Sequence, residues 1–278
     1  MINGRIIADL HTHNDFSFDC HMPPEQAYAA TLKNGADILA VTNHFDIDGV
    51  LDGIYGSYDA DADRRALESA RETYAGRLRI IRGIELGQPH HRPREAQEFL
   101  ARNDFEYVLL SLHNMRDVPD FYFWDFKQMT DEMCRYWLER YFSQTLELLD
   151  FARENTGRNY ALAHLTYPYR YMRQAGRTVD FIRFRDKLAA IFEKLVSHGI
   201  ALEVNTSGYR QGLDMPMPHG EIVALYRECG GELTVVGSDA HKPEEFGDDI
   251  TRAYELLRDC GFTYTCVPSR GGFERLAL

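Results

Sequence analysis

The sequence predicts an α/β barrel, on two observations. Seven short apolar runs, at residues 5–10, 36–42, 78–84, 107–112, 160–163, 200–204 and 233–236, are rich in Ile, Val and Leu. They lack strict alternation, as strands covered on both faces do. Helix-like segments lie between them, giving about 40 residues per unit. That is one unit short of the eight-stranded barrel; a doubly wound open sheet is the alternative. A final run at 264–267 reads as an edge strand or a tail.

The helical segments carry their own signals. Pro23, Pro24 and Glu25 open the first, with proline in its first turn, and Gly35 marks its stop. Residues 61–74 are rich in Ala, Arg and Glu. Residues 136–155 space Trp137, Tyr141, Leu146 and Leu149 along one face, and residues 180–198 and 219–229 behave alike, the last before a Gly230-Gly231 break. No linker, low-complexity tract or charge block interrupts the pattern, so residues 1–278 are expected to form one domain.

Composition excludes several classes. The chain has 43 acidic and 31 basic side chains, a formal net charge of −12, and no Lys/Arg run. A nucleic-acid partner is not expected. No stretch approaches the ~20 apolar residues of a membrane span, and residues 1–13 carry no signal-peptide pattern. The five cysteines (Cys20, Cys134, Cys229, Cys260 and Cys266) form no CxxC pair. They argue against a disulfide framework and for a reducing cytoplasm. The oligomeric state is left open.

The ends of the expected strands carry the chemistry. The first ends in Asp9-Leu10-His11-Thr12-His13, whose two histidines point to one side. The others end in Thr42-Asn43-His44, Gly83-Ile84-Glu85, Ser111-Leu112-His113, Leu162-Ala163-His164, Leu202-Glu203-Val204-Asn205 and Gly237-Ser238-Asp239-Ala240-His241. Six of the eleven histidines thus sit where active sites of α/β barrels assemble. Imidazole and carboxylate together suit Zn, Mn or Fe(II). Six histidines with Glu85, Asp239 and a loop carboxylate exceed the needs of one tetrahedral ion, so two or three divalent ions sharing a bridging carboxylate are expected.

In this order the motifs resemble the PHP (polymerase and histidinol phosphatase) family. They are HxHxxxSxD from His11 to Asp19, TNH at His44, GIE at Glu85, SLH at His113, AH at His164 and GSDAH from Gly237 to His241. The resemblance runs from residue 5 to about residue 250 and implies a distorted seven-stranded (β/α)7 barrel with its metal site at the C-terminal strand ends. It also implies three metal positions: His11, His13, Glu85 and Asp239; then Glu85, His113 and His164; then Asp19, His44 and His241. Glu85 is the bridge, and Glu85, His113, Asp239 and His241 stand at the reaction centre. His21 competes with Asp19. Glu203 and Asn205 are read as supporting or substrate-facing residues rather than ligands.

Segments 202–212 and 237–247 are similar to the histidinol-phosphate phosphatase branch. That implies a metal-dependent phosphomonoesterase hydrolysing L-histidinol phosphate through a hydroxide held between two ions. Arg170 and Arg210, in loops past strand ends, look similar to phosphate-contacting positions of that branch. Ser17, Ser111 and Ser207 are read as turn and hydrogen-bonding residues, not nucleophiles. Asp125 and Asp15 are candidates for the substrate's amine. The long loop 114–129, with Phe121, Tyr122, Phe123, Trp124 and Phe126 around Asp125, departs from the branch. Its aromatics suit either packing of the loop or cover for an imidazole ring. The departure keeps other small phosphorylated substrates open (a nucleotide, a sugar phosphate or phosphotyrosine). A non-catalytic metal-binding module is the reading of a different class.

Overall fold

The computed structural model describes residues 5–278; the part of the signal-peptide reading that falls on residues 1–4 lies outside them. Eight strands form one parallel sheet: β1 (Ala8–Thr12), β2 (Ile38–Val41), β3 (His44–Asp46), β4 (Arg79–Gly87), β5 (Tyr107–Ser111), β6 (Asn159–Leu162), β7 (Ala201–Asn205) and β8 (Thr234–Gly237). β2 and β3 are two halves of one barrel position, both pairing with the long β4 and separated by Thr42 and Asn43. The sequence-based reading stops this strand at Thr42 because polar residues follow. The structure continues it, with His44 opposite Glu85 and Asp46 opposite Gly87.

The sheet curls until its ends meet. Asp239 N–H donates to the His11 carbonyl at 2.7 Å, and His13 N–H to the Ala240 carbonyl at 2.9 Å. Thr12 and Ala240 form a parallel bridge. This near-closure sets aside the doubly wound sheet and gives the seven-position barrel.

Helices pack outside: α1 (Pro24–Lys33), α2 (Ile47–Leu51), α3 (Ala60–Thr73), α4 (Pro93–Arg102), α5 (Asp131–Glu154), α6 (Tyr167–Gln174), α7 (Arg185–His198), α8 (Gly220–Glu228) and α9 (Ile250–Asp259). The expected helix at 180–198 begins as a 3-10 turn, Phe181–Phe184, whose Asp180 carboxylate accepts from Ile182 N–H. α2, α4, α6 and α9 were not anticipated. α4 and α6 carry proline in the first turn, a start signal in the sequence.

The run at 264–267 is neither an edge of the barrel nor a tail. It belongs to β9 (Tyr264–Ser269), paired antiparallel with β10 (Gly272–Ala277). Cys266 and Val267 pack against the barrel's inner layer of Ala8, Leu10, Ala40, Leu109, Ala161 and Val235. The hairpin therefore plugs the N-terminal mouth and leaves the C-terminal mouth for chemistry. All five cysteines are free thiols. No described helix is long and apolar enough to cross a membrane.

Candidate metal centre

Strand alternation builds the centre in layers. On β4, Ile81 belongs to the inner apolar layer, so Gly83, Glu85 and Gly87 follow on the same face. On β5 the inward series is Tyr107, Leu109, Ser111 and then His113; on β7 it is Ala201, Glu203 and Asn205. Two ligands depart from strict alternation. The β1–β2 register slips between Asp9 and Thr12, which brings His11 inward beside Leu10. His164 follows the inward-facing Ala163, and its φ of 24° breaks the alternation. Asp239 has φ 56°. Positive φ at a non-glycine residue costs about 1–3 kcal/mol and persists only where the surroundings fix it. Gly237 is glycine for space: a Cβ there would stand 2.3 Å from His11 Cβ.

Five of the other eight expected ligands face Glu85 directly, and the remaining three join them through His11, His13 and His44. Glu85 Oε2 lies 3.1 Å from His11 Nε2, 3.4 Å from His13 Nε2 and 3.1 Å from His44 Nδ1. Its Oε1 lies 2.9 Å from His164 Nε2 and 3.2 Å from His113 Nε2. Asp239 Oδ1 stands 3.4 Å from His13 Nε2 and 3.7 Å from His11 Nε2. Asp19 Oδ2 faces His44 Nε2 at 3.5 Å and His241 Nε2 at 3.3 Å. His21 is exposed and does not line this cavity.

These spacings fit metal ions. Two donors each about 2.1 Å from one tetrahedral ion stand roughly 3.4 Å apart. His13 Nε2, His44 Nδ1 and His241 Nε2 are buried without hydrogen-bond partners, a costly arrangement unless something else engages them. Donor triads that could hold an ion include His11, His13 and Asp239; His11, Glu85 and His164; His44, Glu85 and His113; and His13, His44 and His241.

Electrostatics point the same way. Burial opposes ionisation of Glu85, but the imidazoles of His44, His11 and His113 overcome it and hold the carboxyl well below its ordinary range. Burial disfavours charge on His113, yet Asp46 and Glu85 push it up to about 10. Burial, with His241 and His44 beside it, pushes His13 down to about 3 and leaves it neutral.

The ligands are themselves held. His11 Nδ1 is 2.6 Å from Glu203 Oε1, and Glu203 Oε2 accepts from His164 N–H at 2.7 Å. Ser111 Oγ donates to Glu85 Oε1 at 2.5 Å. Ser17 Oγ lies 3.0 Å from His13 Nδ1, and Ser207 Oγ donates to Asp239 Oδ2 at 3.3 Å. These serines act as hydrogen-bond partners of the ligands. Sequence reasoning missed Asp46, whose Oδ2 is 2.7 Å from His113 Nδ1. Its signal was its spacing, two residues past His44 on one strand face.

Above the centre opens a cavity of about 510 Å³, within the range of small-molecule sites. His44, Glu85, His113, His164, Asp239 and His241 reach it from below, and Arg170, Asp120, Tyr122, Phe123, Phe18 and Tyr55 line its walls. Arg170 stacks 4.6 Å from the rings of Tyr167 and Tyr171, and its Nη1 donates to Gln211 Oε1 at 2.5 Å. Its Nε is buried without a partner. Arg210 does not line the cavity. Its Nη1 and Nη2 donate to the carbonyls of Ser238 and Asp239, each at 2.7 Å, and its Nε faces Glu245 at 3.5 Å. It fastens the loop bearing Asp239.

The aromatic loop divides its labour. Phe121 and Phe126 are buried, and Trp124 packs on Trp137; Tyr122 and Phe123 are about two-thirds exposed at the cavity rim. Asp125 caps a short turn by accepting from Lys127 N–H, and Asp15 lies outside the cavity. The acidic residue in the wall is Asp120, which accepts from Tyr167 Oη at 3.1 Å.

Comparison with known proteins agrees with this geometry. The PHP domain family matches residues 9–207. A probable histidinol-phosphatase of Thermotoga maritima is 27% identical over 265 residues, 95% of this chain and 97% of that protein. The histidinol-phosphatase of Lactococcus lactis is 23% identical over 262 residues, 91% of each. The crystal structure of histidinol phosphate phosphatase from Lactococcus lactis, complexed with zinc, L-histidinol and phosphate, superposes with a TM-score of 0.79 at 21% identity. The match covers 96% of this chain and 98% of that one. A barrel with ligand-bearing strand ends and a family match across most of its length together make the chain a member of the PHP family.

Proposed function

We propose that the chain is a metal-dependent phosphomonoesterase that hydrolyses L-histidinol phosphate to L-histidinol and phosphate. The observation that carries the reading is the cavity itself. One end is lined by seven of the nine expected ligand side chains, the wall holds an arginine whose Nε is buried without a partner, and the rim is aromatic with one carboxylate. The full-length likeness to proteins named histidinol-phosphatases supports the substrate.

Bound divalent ions supply Lewis-acid activation of water and of the phosphoryl group. The protein's residues do the rest. His11, His13, Glu85 and Asp239 form the first position, Glu85, His113 and His164 the second, and Asp19, His44 and His241 the third. Arg170 binds phosphate with its free Nε edge. Asp120 accepts from the substrate's amine or imidazole, and Tyr122, Phe123, Phe18 and Tyr55 exclude water around the organic part. No protein nucleophile is required. We further read residues 1–278 as one domain, since β1 to β8 make one barrel and the β9–β10 hairpin plugs it. The free thiols support a cytoplasmic location.

Steady-state kinetics on the metal-loaded protein test the reading. Histidinol phosphate should be turned over with a kcat/KM far above that of p-nitrophenyl phosphate, and Asp120→Asn should raise KM for the former while sparing the latter. Equal kcat/KM for both substrates would remove the specific assignment; no turnover of either would remove the phosphatase reading.

The two arginines separate by product inhibition. Arg170→Ala should weaken inhibition by inorganic phosphate about 10- to 100-fold, the worth of charge-assisted hydrogen bonds of about 1.5–3 kcal/mol. Arg210→Ala should leave phosphate inhibition near the wild-type value and lower the melting temperature, because it frees the carbonyls of Ser238 and Asp239. The reverse pattern would exchange their roles.

A further inference from the structure

Asp46 lies behind the metal centre, 1% exposed, at the end of β3. It has no place in the three ligand sets, yet it touches two of them. Its Oδ2 is 2.7 Å from His113 Nδ1, on the side of the ring away from Glu85. Its Oδ1 stands 3.4 Å from His44 Nδ1, flanking the ring rather than bonding it: both atoms are buried without a hydrogen-bond partner, and Glu85 Oε2 lies nearer that nitrogen at 3.1 Å. His113 belongs to the second metal position and His44 to the third.

The backbone is arranged to admit this carboxylate. The β3–β4 register sets Asp46 over Gly87 just as it sets His44 over Glu85. A Cβ on Gly87 would lie 2.5 Å from both Cγ and Oδ1 of Asp46, so only glycine leaves the carboxylate room. Beyond it, Gln88 adopts φ 51° and is 1% exposed; its side-chain NH2 donates to the Gly87 carbonyl at 3.1 Å and its oxygen accepts from Asn114 N–H at 3.2 Å. Asn114 in turn donates to Asp48 at 3.3 Å, and Asp48 holds His91 at 2.6 Å. Asp46 is thus flanked on its outer side by a polar set, Gln88, Asn114, Asp48 and His91, of which Asp48, His91 and Asn114 line a groove beside the active cavity.

We infer that Asp46 is a positioning residue that orients His113 by a hydrogen bond and flanks His44 with its other oxygen, coupling the second and third metal positions. A carboxylate accepting from Nδ1–H fixes the tautomer that presents Nε2 to an ion, and it raises the basicity of that nitrogen. Glu203 does this for His11; Asp46 does it for His113 and sets its other oxygen 3.4 Å from His44, a histidine of a different position. The inference rests on the metal-centre reading above and adds a residue to it.

The experiment measures metal, not only turnover. Wild type, Asp46→Asn, Asp46→Ala and Gly87→Ala are loaded with Co(II), and bound equivalents, the visible absorption spectrum and the rate of loss to a chelator are recorded. Loss of an outer carboxylate typically weakens metal binding about 10- to 100-fold. Asp46→Ala should lose at least one equivalent or release it at least tenfold faster, with a changed Co(II) spectrum. Asp46→Asn, which keeps the shape and a neutral acceptor, should fall between it and wild type. Gly87→Ala should resemble Asp46→Ala although Asp46 is intact, because its Cβ displaces the carboxylate; it guards against Asp46→Ala merely failing to fold. Wild-type stoichiometry, spectrum and release in the folded variants would overturn the role of Asp46 alone. A wild type that binds at most one ion would instead overturn the metal-centre reading, and this inference with it.

Discussion

Glu85→Gln should abolish turnover, lowering kcat by at least on the order of 10³-fold, and should leave at most one tightly bound ion per chain. The substitution is nearly isosteric, so packing around a side chain that is 1% exposed is preserved. What disappears is one negative charge and one of two acceptor atoms. Both oxygens are in use: Oε2 faces His11, His13 and His44, and Oε1 faces His113 and His164. No other carboxylate among the described residues reaches histidines of all three expected positions, so none could take over the bridging role proposed for Glu85. The amide NH2 of glutamine would also point a donor at imidazole nitrogens that the ions require as acceptors. In the ion-free protein the change removes the counter-charge of several buried imidazoles, and breaking a buried pair costs about 3–5 kcal/mol. Elemental analysis and single-turnover kinetics on the purified variant check both halves. A variant with two or three ions and measurable turnover would refute the bridging role.

Most of this centre was legible because its parts lie on strands. Period-2 alternation turns a short motif into a direction, so His113, Glu85 and Asp239 could be aimed before any coordinates. The same rule would have aimed His164 outward; only the turn at φ 24° brings it in. The barrel was legible from runs buried on both faces, but its closing seam was not, because it rests on two backbone hydrogen bonds around the Thr12–Ala240 bridge. Loop residues were harder. Asp120 and Asp125 each cap a short turn, yet only Asp120 also enters the cavity wall, while Asp125 stays at the surface. Arg210 follows Ser207-Gly208-Tyr209 past a strand end, where a phosphate ligand is expected, but the wide turn Tyr209–Leu213 directs its guanidinium back onto carbonyls. Loop path depends on such local hydrogen bonds, and no periodicity reports them.

Removing the ions should stop turnover and lower the melting temperature, and the gap should widen as pH rises. Asp19, Asp46, Glu85, Asp120, Glu203 and Asp239 surround the centre. Fully ionised they carry six negative charges, which three divalent ions would balance. Without ions, protonated imidazoles must do so. His113 is the clearest case, its pKa lifted to about 10 from an ordinary 6.5 against the opposition of burial. A group raised in the folded state stabilises fully below its unfolded pKa and loses that contribution as pH climbs through the folded value. The ion-free protein is therefore best supported below about pH 6.5 and weakens progressively toward pH 10. Glu85 and Asp239, both held low, act in the opposite sense: their contribution is present above the ordinary carboxylate range and is lost in acid. Ion binding competes with the His113 proton, so affinity should rise with pH up to about 10 and loading should release protons. An ion present at 100 times its Kd stabilises by about 2.7 kcal/mol per site, so two sites give roughly 5 kcal/mol. Differential scanning calorimetry of loaded and chelated protein at pH 6 and pH 9 measures the gap, and a weakly buffered titration at pH 8 counts the protons. A gap independent of pH, or loading without proton release, would mean that the imidazoles are neutral in the ion-free protein and that the carboxylates are balanced by some other charge.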